Sequence, residues 1–68
     1  MKNLFPQRLN ELLKINNLSK RALARAIGVS VASIYDWSTG KVQPTAEKIY
    51  LVAKYFNASS NYLLGLED

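Results

Sequence analysis

Between Ser30 and Gly40 the chain sets out side chains that suit contact with another surface better than catalysis. Val31, Ala32, Ser33, Tyr35, Asp36 and Thr39 are short or flat, and none is Lys or Glu, the usual occupants of a solvated helix face. Small side chains at a helix N-terminus let the backbone approach a partner closely, as at the floor of a nucleic-acid groove. Around them the charge is lopsided. Residues 1–45 carry seven basic and two acidic side chains, whereas residues 46–68 carry two basic and three acidic ones. A basic half on so small a chain points to an anionic partner, for which nucleic acid is the usual case.

Enzyme chemistry fits these residues poorly. The sequence contains no histidine and no cysteine, which removes imidazole bases, thiolate nucleophiles, disulfides and the usual zinc ligands. A general base would have to come from five carboxylates, two of which are the terminal Glu67 and Asp68. Ser30, Ser33 and Ser38 have no base beside them in sequence, so capping and surface hydroxyl roles suit them better. No glycine-rich phosphate loop or acidic metal cluster is present. The expectation is a protein that is not an enzyme and has neither a cofactor nor a small-molecule substrate. No apolar run approaches the ~20 residues of a membrane-spanning helix, and the N-terminus lacks a signal-peptide core. With no membrane contact foreseen, a cytoplasmic location is expected.

The elements that must position these side chains are helices. Ser19, Ser30, Thr45 and Ser59 each precede a helical pattern and suit an N-cap hydroxyl. Apolar pairs flank them at the spacing of a hydrophobic staple: Leu18 with Leu23, Val29 with Ile34, Pro44 with Ile49, and Ala58 with Leu63. The predicted helices run from about Leu4 to Asn16, Lys20 to Ile27, Val31 to Thr39, Ala46 to Phe56, and Ser60 to Leu64. Pro6 is tolerated in a first turn, where its missing N–H is not needed. Asn57 suits a left-handed C-cap, and Gly65 ends the last helix. The expected core is Phe5, Leu9, Leu12 and Leu13, then Leu23, Ala24 and Ile27, then Ile34 and Trp37, and finally Ile49, Val52, Ala53 and Phe56. No strand alternation, repeat or linker divides residues 1–68, so one domain is expected.

Ala24, Gly28 and Ile34 join the second and third helices in a helix-turn-helix. A steep crossing needs a small residue where the backbones meet, and Ala24 supplies it. The sharp turn needs a left-handed residue, which Gly28 permits, and Ile34 locks the second helix of the pair back onto the first.

With this motif in place, RLNELLKINNLSKRALARAIGVS, SIYDWSTGK followed by Pro44, and KIYLVAKYFNASSNYLLG together resemble the Cro and phage-repressor type of helix-turn-helix protein. The resemblance covers nearly the whole chain. It implies an all-α, compact five-helix domain with helices 2 and 3 as the motif. It also implies a sequence-specific regulator of transcription, a repressor that binds a double-stranded DNA operator as a homodimer. By position, Val31, Ala32 and Asp36 would face base edges. Ser33 and Tyr35 would contact phosphate or sugar. Ser19 and Lys20 would grip a phosphate at the start of the second helix, which agrees with the affinity of helix N-termini for anions. Lys41 to Gln43, in the loop that follows, would reach the next stretch of backbone.

Two positions depart from the family pattern. Members often pair an arginine in the first helix with a glutamate near the end of the recognition helix. Here the positions hold Leu13 and Ser38, so both charges are absent together and an apolar contact is expected in their place. The base-facing positions also lack the Gln, Asn or Arg that make bidentate bonds to purines, so readout is expected to lean on thymine methyls and DNA shape. Leu51, Tyr55, Leu64 and Leu66 lie off the expected core, and the family's use of its last helix implies that they form the dimer contact. The alternative use of this scaffold is a protein-interaction module, an antitoxin or anti-repressor without specific DNA binding. The Leu64-Gly65 ending also matches the point where longer repressors continue into a linker and an oligomerisation domain.

Overall fold

The computed structural model describes residues 3–67, and every regular element among them is helical. The helices are α1 (Phe5–Ile15), α2 (Lys20–Ile27), α3 (Val31–Thr39), α4 (Ala46–Phe56) and α5 (Ser60–Leu64). Side-chain hydroxyls fix where four of them start. Ser19 accepts from the Ala22 N–H at 3.0 Å, Ser30 from Ser33 at 3.2 Å, Thr45 from Lys48 at 3.3 Å and Ser59 from Tyr62 at 2.9 Å. Each satisfies one of the N–H groups that a helix leaves unpaired at its start. α1 is the exception, since its N-cap Leu4 has no side-chain acceptor. Instead Asn3 Oδ1 accepts from the Phe5 N–H at 3.1 Å, and the helix starts and stops one residue inside the expected bounds.

The helix ends are closed by left-handed residues. Asn17, Gly28, Asn57 and Gly65 all have positive φ. After each, the next N–H reaches back to a carbonyl five residues earlier in sequence: Leu18 to Leu13, Val29 to Ala24, Ala58 to Ala53 and Leu66 to Asn61, at 2.8–3.0 Å. This return bond turns the chain sharply and satisfies a carbonyl in the last helical turn. A Cβ built on Gly28 would meet nothing within 4 Å, so its φ of +76° is the reason for glycine there, and crowding is not.

The core gathers one face from every helix. Phe5, Leu9 and Leu13 come from α1, Leu23 and Ala24 from α2, Ile34 and Trp37 from α3, Ile49, Val52 and Ala53 from α4, and Leu63 from α5. Ala24 is 4% exposed and Ile34 fully buried, as close packing of α3 on α2 requires. Leu12, Ile27 and Phe56 were expected in the core but only pack against it, partly buried. In a globule of this size the edges of a wide apolar stripe reach the surface. Leu64 departs in the other direction: expected off the core, it packs against it. In a five-residue helix both Leu63 and its neighbour lie close to the layer beneath. No helix of the described residues is long and apolar enough to cross a membrane.

Candidate nucleic-acid interface

α3 is anchored at Ile34 and Trp37, and the rest of its surface is available to a partner. Ala32 and Tyr35 are exposed, Tyr35 at 55%, while Ser33 and Asp36 are half-buried. Val31 divides its surface. It was expected to point away from the anchor, yet it packs partly against the core, because it stands one helical turn before Ile34 on the same face.

The N-terminus of α2 comes to the middle of α3. The Lys20 ammonium lies 5.2 Å from the centre of the Tyr35 ring, a cation–π contact that joins two of the residues expected at phosphates. The Ser33 hydroxyl is engaged within its own helix start, 3.0 Å from that of the N-cap Ser30. Lys41 and Gln43 follow on the exposed loop after α3. Gln43 is held there by Asn3, whose Nδ2 donates to Gln43 Oε1 at 2.7 Å. That bond occupies the Gln43 carbonyl oxygen and leaves its amide nitrogen as the donor. Lys20 on α2 therefore lies beside Tyr35 on α3, and Lys41 and Gln43 stand exposed in the loop that leaves α3.

A depression of about 490 Å3 adjoins the start of α2, lined among others by Lys14, Asn17, Ser19 and Lys20. Lys14 and Asn17 were not singled out from the sequence. Their signal was available: a lysine in the last turn of α1 and a left-handed asparagine immediately before the capping serine. Among the described residues the one ion pair is Lys48–Glu47, 3.8 Å apart on α4. The lysines around α3 thus have no carboxylate partner in this set.

α1 braces the other end of α3. Phe5 and Trp37 meet edge to face, with ring centres 6.4 Å apart and planes at 78°. Asn10 Nδ2 donates to the Ser38 carbonyl at 2.9 Å and to the Pro6 carbonyl at 2.9 Å. The expected apolar substitute for an α1–α3 ion pair is therefore only half of what occurs. Leu13 is buried in the core, but Ser38 is reached by an asparagine amide one turn earlier on α1.

The residues expected at a dimer contact differ in exposure. Tyr55 and Leu66 are exposed, whereas Leu51 and Leu64 are half-buried. Tyr55 also lies edge-on to Phe56, with ring centres 5.2 Å apart.

A buried alanine, a left-handed glycine and a buried isoleucine, set between two capped helices, define a helix-turn-helix domain. The helix-turn-helix family model matches residues 9–63, and the chain belongs to that family. It is 31% identical to an uncharacterized HTH-type transcriptional regulator, YobD, of Bacillus subtilis (strain 168), over 96% of this chain and 58% of the relative. It is also 31% identical to the HTH-type transcriptional activator BcrR of Enterococcus faecalis, over 94% of this chain and 31% of that protein. The chain thus spans little more than half of one relative and a third of the other. Among solved structures, it superposes on the P22 c2 repressor, solved in complex with a synthetic operator, with a TM-score of 0.88. That match has 26% identity and covers 97% of this chain and all of the other. A transcriptional regulator from Listeria innocua matches with a TM-score of 0.90 at 25% identity, over 100% of this chain and 64% of that one.

Proposed function

We propose that this chain binds double-stranded operator DNA as a transcriptional regulator of the repressor and Cro type, with α3 in the major groove. One observation carries the reading: Lys20 at the start of α2 is held over Tyr35 on the exposed face of α3, and Lys41 and Gln43 stand exposed in the loop that leaves the same helix. This is the order of groups needed to seat a reading helix between two stretches of phosphate backbone. Family membership and the likeness to a repressor solved on its operator support it. Val31, Ala32 and Asp36 face the base edges, and Ser19, Lys20, Ser33, Tyr35, Lys41 and Gln43 contact phosphate or sugar. Two copies bind one palindromic operator, with Tyr55, Leu66 and the exposed parts of Leu51 and Leu64 between them, in the cytoplasm.

Salt dependence of duplex binding tests the reading. Log affinity should fall linearly with log salt, with a slope of roughly −0.9 for each phosphate neutralised. Failure to bind duplex even at low salt contradicts it and favours a protein-interaction module on the same scaffold.

A further inference from the structure

We propose that Asn10 is a positioning residue for base readout: its side-chain amide clamps the exit of α3 to α1 and so sets the tilt at which α3 meets DNA. The inference rests on the DNA-binding reading for its function, but the clamp itself is a property of the free protein.

The exit of α3 is built differently from the other helix ends. α1, α2, α4 and α5 each close with a left-handed residue followed by an N–H bonded five residues back. α3 also closes on a left-handed residue, Gly40 with φ of +82°, but the return after it is looser. Gly40 N–H reaches Trp37 O at 3.3 Å, and Val42 N–H reaches Asp36 O at 3.3 Å. Val42, four residues beyond Ser38, would ordinarily bond the Ser38 carbonyl in a continuing helix, but it is turned to Asp36. The Ser38 carbonyl belongs to the last turn, where helix carbonyls need a partner from outside. Asn10 Nδ2 supplies one at 2.9 Å, across 28 residues of sequence.

The clamp is fixed at its root. The same amide nitrogen donates to Pro6 O one turn back on α1, which holds the Asn10 side chain in one rotamer against its own helix. A primary amide has two N–H donors, so both carbonyls are served at once. A leucine of similar shape could serve neither. Because Ile34 and Trp37 pin α3 only along its buried stripe, rotation about that stripe is opposed at its C-terminal end by this bond. Asp36 lies half a turn from the clamped carbonyl, so a shift there moves a base-facing side chain directly.

The test compares wild type, Asn10→Leu and Asn10→Gln, using the duplex that wild type selects from a random pool and a scrambled duplex of the same composition. Both substitutions leave the charge unchanged, so non-specific phosphate attraction is held constant. For Asn10→Leu the ratio of specific to scrambled affinity should fall about fivefold for each recognition helix, the effect of about one hydrogen bond. Scrambled-duplex affinity should stay within twofold. Asn10→Gln keeps two donors and should restore most of the ratio. In the free protein, the carbonyl-carbon NMR shift of Ser38 should move in Asn10→Leu and return toward wild type in Asn10→Gln.

An unchanged ratio in Asn10→Leu overturns the proposal. Equal loss on both duplexes, or no rescue by Asn10→Gln, does the same, since a merely structural role would act that way. A wild type that prefers no duplex overturns the DNA reading and the readout role with it. The Ser38 shift still reports whether the clamp exists, so the two failures are distinguishable.

Discussion

At the scale of single residues, the proposed interface on α3 divides into groups to recognise bases and groups to hold phosphate. Lys41→Ala should weaken every duplex by a similar factor and lower the salt slope by about one, as expected for a phosphate contact. Titrating a panel of duplexes checks this, and a changed base preference would contradict the division. Asp36→Gln should do the opposite. It replaces an acceptor-only carboxylate with an amide that can bond adenine bidentately, so one position of the preferred site should shift from cytosine toward adenine. Selection with both proteins reads that change. Replacing thymine by uracil within each half-site should also cost affinity if Val31 and Ala32 touch the methyl groups. The exposure of Ala32 and Tyr35 was legible in the sequence, because Ile34 and Trp37 mark the buried face of α3 and leave these two off it. The pairing of the Ser33 hydroxyl with Ser30 and the half-burial of Val31 were not, since both depend on rotamers and on the i to i+3 neighbour.

At the scale of elements, local chemistry decided nearly everything. Four hydroxyl caps and a series of left-handed residues mark boundaries that need no tertiary information, and the helices begin and end where those residues stand. α1 is the instructive exception, because its start is set by Asn3 acting from outside the helix. The bracing of α3 by α1 was also hidden, since Asn10 and Ser38 are 28 residues apart and neither type announces a long-range bond. The turn between α2 and α3 gives a clean stability test. Gly28→Ala forces a Cβ into φ of +76° with no gain in contacts, and should destabilise by about 1 kcal/mol. Ile34→Ala empties a fully buried position and should cost more, about 2–5 kcal/mol. Urea unfolding midpoints at constant m-value order the two. If Gly28→Ala proved the more damaging, the lock of α3 onto α2 would be weaker than its burial implies.

At the scale of the whole molecule, α1 is tied to α5 and the residues that follow it. Arg8 lies over the Tyr62 ring, 4.3 Å from its centre, and donates to the carbonyls of Tyr62 and Glu67. Leu4 covers Gly65 so closely that a Cβ there would come within 2.9 Å of it. α5 is short and depends on this seat, so Arg8→Ala should lower stability by about 1–2 kcal/mol, read from thermal or urea unfolding. The partners of Arg8 are backbone carbonyls, which is why composition and motif could not reveal them. Assembly is decided at this scale too. Tyr55→Glu with Leu66→Glu should leave the monomer folded yet abolish cooperative binding of two copies to one site. The central claim is that α3 reads operator sequence, and selection of bound duplexes from a random pool tests it most directly. The expected result is an enriched palindrome whose half-sites lie about one helical turn, ~10 base pairs, apart, one recognition helix to each. Recovery of duplex with no enriched sequence would contradict it.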